Sequence, residues 1–271
     1  MSTIVLTGAS SGIGLAMARA FAARGDTVYG LAWRTDLIAA EKNPRIIPVA
    51  CDLTDSASIH QAAAAVALAG GADLLINNAG YGSYGPVETV PISEVRRQLD
   101  VNLLGLAELT QLIIPQLRSR GGGRIVNIGS VAGRMTNYLG GWYHVSKYAV
   151  EALSDALRME LKDFGIKVVL VEPGPIRTNW GVIAADHLDA AVIGTVYQAN
   201  GQRAAQRLRM AYTKAPFSSP DAVVRCVLRA AGSRRPRARY HAGLGSGTII
   251  ALHALLPTRL FDWGARKVMG C

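Results

Sequence analysis

Seven short, mostly β-branched runs, separated by longer helical stretches, leave this chain few folds to choose from. The runs cover residues 3–7, 27–31, 46–50, 74–77, 125–128, 167–171 and 239–241. Most are nearly continuous apolar segments, the pattern of strands buried on both faces of a parallel sheet. Helical patterns fill the intervals at 14–23, 56–68, 93–118 and 143–164. Such alternation predicts an α/β fold, a doubly wound parallel sheet of about seven strands. Residues 175–215 lack a clean strand pattern and read as a helical insertion after the sixth strand. Another helix is predicted over 219–232, opened by Ser219-Pro220-Asp221. No repeat or linker interrupts the pattern. The 271 residues therefore read as one domain, with 175–215 as a loop over the site and 216–271 as a C-terminal extension.

Composition excludes several classes. With 50% hydrophobic and 18% charged residues, the chain is the opposite of a disordered one. Cys51, Cys226 and Cys271 are widely spaced and form no CxxC pair. That excludes a disulfide scaffold and a cysteine zinc site, and the histidines show no ligand spacing, so no metal is expected. A reducing, cytoplasmic setting is the expectation. The first strand begins at once, without the basic start and apolar stretch of a signal peptide. The apolar run at 247–256 is too short to span a bilayer.

The first strand ends in Thr7-Gly8-Ala9-Ser10-Ser11-Gly12-Ile13-Gly14. In an open α/β sheet this strand–turn–helix junction is where a dinucleotide binds. Gly8 permits the tight turn, Gly12 lets the backbone approach a pyrophosphate, and Gly14 lets the helix pack closely on the sheet. The helix N-terminus offers free N–H groups to the phosphates, and Ser10 and Ser11 add hydroxyl donors.

The glycine spacing is Gly-x3-Gly-x-Gly. Asn77-Asn78-Ala79-Gly80 follows the fourth strand, and Tyr143-x3-Lys147 lies on a later helix. With Asp52, Asn102, Ser130, Pro173-Gly174 and Thr178, these motifs resemble the classical short-chain dehydrogenase/reductase family over about residues 1–180. Asn78-Ala79-Gly80-Tyr81-Gly82 and Glu172-Pro173-Gly174 look most like its retinol- and hydroxysteroid-type branch. Gly129 departs from the pattern, since a second Ser is common there. The resemblance implies a Rossmann-type fold and an NAD(P)-dependent oxidoreductase that interconverts an alcohol and a ketone or aldehyde. It makes Asn102, Ser130, Tyr143 and Lys147 the catalytic tetrad, with Asn102 holding a water that links Lys147 to solvent. Cofactor contacts are implied for Gly8, Ser10, Ser11, Gly12, Ile13, Gly14, Arg34, Asp52, Leu53, Asn78, Ala79, Gly80, Tyr143, Lys147, Pro173, Gly174, Ile176 and Thr178. It also implies a homodimer or homotetramer formed through the long helices beside the site.

The chemistry suits these residue types. Reduction of a ketone leaves charge on oxygen, which needs a proton and hydrogen-bond donors. A tyrosine hydroxyl can give that proton, and its ordinary pKa of about 10 falls beside a cation. Lys147, one helical turn past Tyr143, shares its helix face. An isolated Tyr-x3-Lys is ordinarily an exposed pair; the glycine turn and Ser130 give this one its context.

An acid at the end of the second strand would hold the 2′-hydroxyl of NAD. The strand ends Gly30-Leu31-Ala32-Trp33-Arg34, with no acid at Ala32. Arg34 is placed to meet a 2′-phosphate, so NADP(H) is favoured over NAD(H). No second basic residue stands at Ser11 or Trp33. Substrate is expected among Tyr81, loop 131–142 with Met135, Tyr138, Leu139 and Trp142, and Trp180, Val182 and Ile183. This lining is apolar and suits a lipophilic small molecule.

The net charge of +10 sits in one place. Residues 1–199 carry 16 Lys and Arg against 17 Asp and Glu, whereas residues 200–271 carry 13 against 2. Residues 258–269 place Leu260, Phe261, Ala265 and Val268 at helical spacing among basic residues. Such a helix packs on its own domain, contacts another subunit, or lies on a membrane surface. Nucleic acid is not expected, because Arg234-Arg235-Pro236-Arg237 lacks interleaved aromatics. The rival readings for the whole chain are a non-catalytic dinucleotide sensor and a membrane-associated protein on the same fold.

Overall fold

A computed structural model describes residues 1–271. Seven strands form one all-parallel sheet: β1 (Thr3–Thr7), β2 (Thr27–Ala32), β3 (Ile46–Ala50), β4 (Leu74–Asn77), β5 (Gly123–Ile128), β6 (Ile166–Pro173) and β7 (Arg239–Ala242). Their order is β3-β2-β1-β4-β5-β6-β7. In β1, alternate side chains serve opposite faces. Ile4 and Leu6 join a core with α1 (Gly12–Ala23) and α9 (Asp221–Gly232). Val5 joins the other core, with α3 (Ser56–Leu68), α5 (Gly105–Ser119) and α6 (Gly141–Glu160). Both faces are covered, which is why the strands are apolar on both sides. Each fully buried Val, Leu or Ile contributes about 1.5–3 kcal/mol.

The remaining helices are α2 (Asp36–Ala39), α4 (Ile92–Leu99), α7 (Trp180–Val192), α8 (Gln198–Lys214), α10 (Ser246–Leu255) and α11 (Thr258–Val268). The chain leaves β1 for one face of the sheet and β4 for the other. A crevice opens where they part, at the carboxyl ends of the strands.

Two elements differ most from the sequence expectation. The helix expected over 93–118 is interrupted. Residues Asp100–Leu104 form one π turn between α4 and α5, with the Gly105 N–H bonded to the Asp100 carbonyl. The extra residue turns Asn102 inward, where it is buried. The apolar run at 247–256 lies almost wholly within a helix, α10, whereas the sequence assigned it no element. The insertion at 175–215 is a helix pair. Gly181 lies against the ring of Tyr212 and Gly201 against Val192, so α7 and α8 approach closely.

Candidate active site

The glycine turn forms a tight cradle. Gly8 has φ +68°, and its N–H donates to the Leu31 carbonyl at 2.8 Å. A Cβ there would stand 2.9 Å from the Ala79 Cα. Around Gly12 (φ +53°) nothing comes nearer to such a Cβ than the Thr178 methyl at 3.7 Å. Ser11 precedes α1 without capping it, and no acid occupies the first turn. The first amides of α1, including Ile13 and Gly14, therefore face the crevice unpaired by the helix. Ser10 lines the same opening.

Neighbouring loops are pinned to this turn. Thr7 Oγ1 accepts from the N–H of Asn78 at 2.9 Å and of Ala79 at 3.0 Å. Asn78 Nδ2 donates to the Thr7 carbonyl at 3.0 Å. A cleft of about 290 Å³ runs from here over the ends of β2 and β3, lined by Ala32, Trp33, Arg34, Asp52, Leu53, Tyr81 and Arg97 among others. Asp52 Oδ1 accepts from the Thr54 N–H at 2.9 Å and its hydroxyl at 2.8 Å. Arg97, from α4, is a second basic residue lining the cleft that Arg34 also lines. Sequence reasoning missed it because it lies far from the β2 terminus in the chain. A comparable cavity of about 310 Å³ lies at the amino end of the sheet. Its charges largely answer one another, as Arg24 does Asp26 at 3.7 Å, and ligands of such sheets bind at the opposite end.

The four predicted catalytic residues come from three elements around the crevice. Ser130 follows β5, and its Oγ accepts from the Ala132 N–H at 3.1 Å. Tyr143 and Lys147 lie on the inner face of α6, both buried. Asn102, on the π turn, donates from Nδ2 to the Tyr81 carbonyl at 2.9 Å and to Ser146 Oγ at 3.0 Å, and its Oδ1 accepts from the Tyr81 N–H at 3.0 Å. Gly80 leaves room for this arrangement: a Cβ there would meet Asn102 Oδ1 at 3.0 Å and Lys147 Nζ at 3.7 Å.

Burial dominates the electrostatics. It pushes the Tyr143 hydroxyl well above its ordinary range, Tyr84 adds to the rise, and Ser130 pulls the other way. Lys147 is pulled down to about 8 by burial, with Glu151 opposing. The sequence expectation that Lys147 lowers Tyr143 is not met here. The Lys147 ammonium donates to the Ile128 carbonyl at 3.0 Å, and desolvation of the phenol prevails.

Across the crevice, β6 ends at Pro173 and Gly174 follows. Ile176 is buried and bridges to Ser218. Thr178 Oγ1 accepts from the Trp180 N–H at 3.3 Å. Trp180 stacks obliquely on Tyr143 with centroids 5.0 Å apart and meets Tyr84 edge-on at 5.9 Å and Tyr212 at 5.8 Å. Tyr138 packs on the same cluster. Trp142 is not part of it; its indole Nε1 is buried without a partner. Tyr81 lies between α4 and α7, its hydroxyl donating to Glu94 at 3.0 Å and its ring centroid 5.9 Å from that of His187. The sequence analysis did not single out Tyr84, Tyr212 or His144. His144 Nδ1 faces the carbonyls of Ala132 and Met135 at 3.0 and 2.6 Å, and Nε2 faces Asn137 Oδ1 at 2.9 Å. That fastens loop 131–137 to α6.

One turn past Lys147, Glu151 is buried beside Glu172 of β6. Burial and Glu172 push its carboxyl up to about 7, against Arg239 and Arg134. An acid raised above its ordinary 4.5 binds its proton more tightly in the fold than in the unfolded chain. Its ionisation therefore removes stability as pH rises from the unfolded value toward 7. Glu151→Gln is expected to gain stability relative to wild type across that window in urea titrations at stepped pH. A constant difference at every pH would contradict the assignment.

These features define a dinucleotide-binding oxidoreductase. The family model for short-chain dehydrogenases matches residues 2–186. The rat retinol dehydrogenase 16 is 34% identical over 274 residues, covering 96% of this chain and 86% of that protein. An NADPH-dependent 3-dehydrocapnine reductase of Ornithobacterium rhinotracheale is 40% identical over 192 residues, 67% and 68% of the two chains. A short-chain dehydrogenase structure from Streptomyces avermitilis superposes with a TM-score of 0.79 at 32% identity, covering 93% and 92%. The chain belongs to the short-chain dehydrogenase/reductase family, in its retinol-dehydrogenase-like branch, and is an NAD(P)-dependent dehydrogenase/reductase acting on CH–OH groups. Its residues fit the dinucleotide: the Gly12 cradle is open, the α1 amides are free, and the cleft beside them carries two arginines and no acid at Ala32.

Proposed function

We propose that this protein uses NADP(H) to interconvert a lipophilic alcohol and its ketone or aldehyde, with Tyr143 as acid and base. The observation that carries the reading is the convergence of Tyr143, Lys147, Ser130 and Asn102 beside an apolar aromatic wall. The bound dinucleotide supplies or accepts the hydride. The Tyr143 hydroxyl gives its proton to the substrate oxygen in reduction and takes it back in oxidation. Ser130 Oγ donates to the same oxygen. Lys147, together with Tyr143, would bind the nicotinamide ribose. Asn102 holds the water through which Lys147 exchanges protons with solvent. Tyr81, Tyr138, Trp142 and Trp180 would shape the substrate side, Tyr138 and Trp180 from the aromatic cluster itself.

For the cofactor, Gly8, Ser10, Ser11, Gly12, Ile13 and Gly14 would hold the pyrophosphate, and Asp52 and Leu53 the adenine. Asn78, Ala79 and Gly80 would hold the adjoining ribose, and Pro173, Gly174, Ile176 and Thr178 the nicotinamide. Arg34, joined by Arg97, would hold the 2′-phosphate, in keeping with the relative named as NADPH-dependent. A charged hydrogen bond contributes about 1.5–3 kcal/mol, roughly 10- to 100-fold in affinity. Fluorescence titration should therefore show Arg34→Ala losing about that much for NADPH and little for NADH. Equal losses for both would remove the phosphate role. Turnover on a panel of lipophilic alcohols and ketones, with the tighter cofactor, tests the reaction itself. The setting proposed is cytoplasmic, as a homodimer or homotetramer built through α5 and α6.

A further inference from the structure

Helix α10 is apolar apart from Ser246, Thr248 and His253, and its ten residues include no Asp, Glu, Lys or Arg. A helix of that kind is ordinarily buried. Here only Ser246 is buried, while Leu252 and Leu255 are 46% and 81% exposed. Helix α11 follows directly and buries none of its own residues. Its Leu260 and Trp263 are 51% and 61% exposed. The two helices hold each other, with His253 edge-on to Phe261 at 4.7 Å. The exposed leucines and tryptophan therefore belong to one hairpin. Its inner side is anchored: Arg207 donates to the Lys267 carbonyl at 2.8 Å, and Met269 is buried in the cluster that contains Tyr84 and Tyr143.

Charge decides what covers this surface. α11 carries Arg259, Arg266 and Lys267 against Asp262 alone. In α11, Trp263 stands one turn from both Arg259 and Lys267. A second copy seated on the hairpin by two-fold symmetry would bring like charges together, with one acid on each side to offset three bases. An anionic lipid surface answers the bases with opposite charge and accepts leucine and tryptophan at the headgroup–acyl boundary. No helix of the protein is long and apolar enough to cross a membrane, so the hairpin would lie along the surface.

We propose that the α10–α11 hairpin docks this protein on an anionic lipid bilayer, Leu252, Leu255, Leu260 and Trp263 entering the boundary while Arg259 and Lys267 meet the headgroups. Docking seats the aromatic wall beside lipid, because Arg266 stacks over Tyr138 at 4.9 Å and Ser246 packs on Gly174, whose added Cβ would meet it at 3.3 Å. A lipophilic substrate would then reach the site from the phase in which it dissolves. That consequence rests on the proposed function; the docking does not.

The test is flotation of the full chain with phosphatidylserine–phosphatidylcholine vesicles and with pure phosphatidylcholine vesicles, at low and high salt. Wild type should float with the anionic vesicles, less so at high salt, and not with the neutral ones. The double variant Leu255→Ser/Trp263→Ser should lose more than about tenfold in bound fraction, and Arg259→Gln/Lys267→Gln should lose most of the salt-sensitive part. NADPH titration of each variant reports folding and judges the cofactor reading separately. Absence of wild-type flotation, or equal flotation of the Leu255/Trp263 variant, overturns the proposal. So does a change from dimer to monomer in that variant with flotation unaltered, which would assign the surface to a second copy.

Discussion

Tyr143→Phe is expected to lower kcat by about 10²–10⁴-fold, the usual contribution of a positioned acid or base, while the Kd for NADPH stays within about twofold. The substitution removes one oxygen from a buried ring. The ring keeps its packing on Trp180 at 5.0 Å and Tyr84 at 6.0 Å, so the wall survives. Removing a buried hydroxyl also removes a desolvated polar group, and thermal stability should hold or rise slightly. Burial keeps Tyr143 protonated at neutral pH, which is the form that donates to a carbonyl oxygen. Single-turnover kinetics beside a cofactor titration separate the outcomes. Lost turnover with retained binding is the expected pair. Undiminished turnover would remove Tyr143 from the proton step, and a cellular phenotype unchanged in the dead variant would favour the dinucleotide sensor.

The strands were legible because their apolar runs coincide with the buried stretches of a two-sided sheet; β1, β3 and β4 match residue for residue. The glycine cradle was legible because Gly8 and Gly12 need positive φ and Gly14 needs a missing side chain. The π turn was not, because Asp100-Val101-Asn102-Leu103-Leu104 keeps the apolar spacing of a continuous helix and only a backbone bond reveals the extra residue. Arg97, Tyr84 and Tyr212 reach the site from α4, the loop after β4 and α8. Tertiary packing brings them there, and no spacing in the chain announces it. The expected Lys147–Tyr143 coupling misjudged magnitudes: desolvation of a fully enclosed phenol exceeds the pull of an ammonium turned toward Ile128. For residues 258–269, helical spacing was readable, but whether the apolar side met the protein was not. In the fold it mostly does not.

Gly14→Ala is expected to destabilise the fold by about 2–4 kcal/mol, the range of a severe overpacking, and to weaken dinucleotide binding by more than about tenfold. In most helices the same change stabilises by about 0.5–1 kcal/mol, because glycine loses more backbone freedom on folding. Here the sign reverses. A Cβ on Gly14 collides with the Gly8 carbonyl oxygen and comes within 2.7 Å of Asn78 Nδ2. Neither neighbour is free to retreat: the Gly8 N–H is bonded to Leu31, and Asn78 Nδ2 to the Thr7 carbonyl. Relief therefore requires α1 to lift from the sheet, pulling Met17, Ala18 and Phe21 out of a core where they are almost fully buried. The same lift moves the α1 amides that would meet the pyrophosphate, so stability and affinity fall together. Thermal unfolding should show a midpoint lower by roughly 5–15 °C. Gly264→Ala in α11 is the matched control, since nothing lies within 4 Å of its added Cβ; its midpoint should hold or rise. If both variants melt alike, the close approach of α1 to the sheet at Gly14 does not constrain this fold.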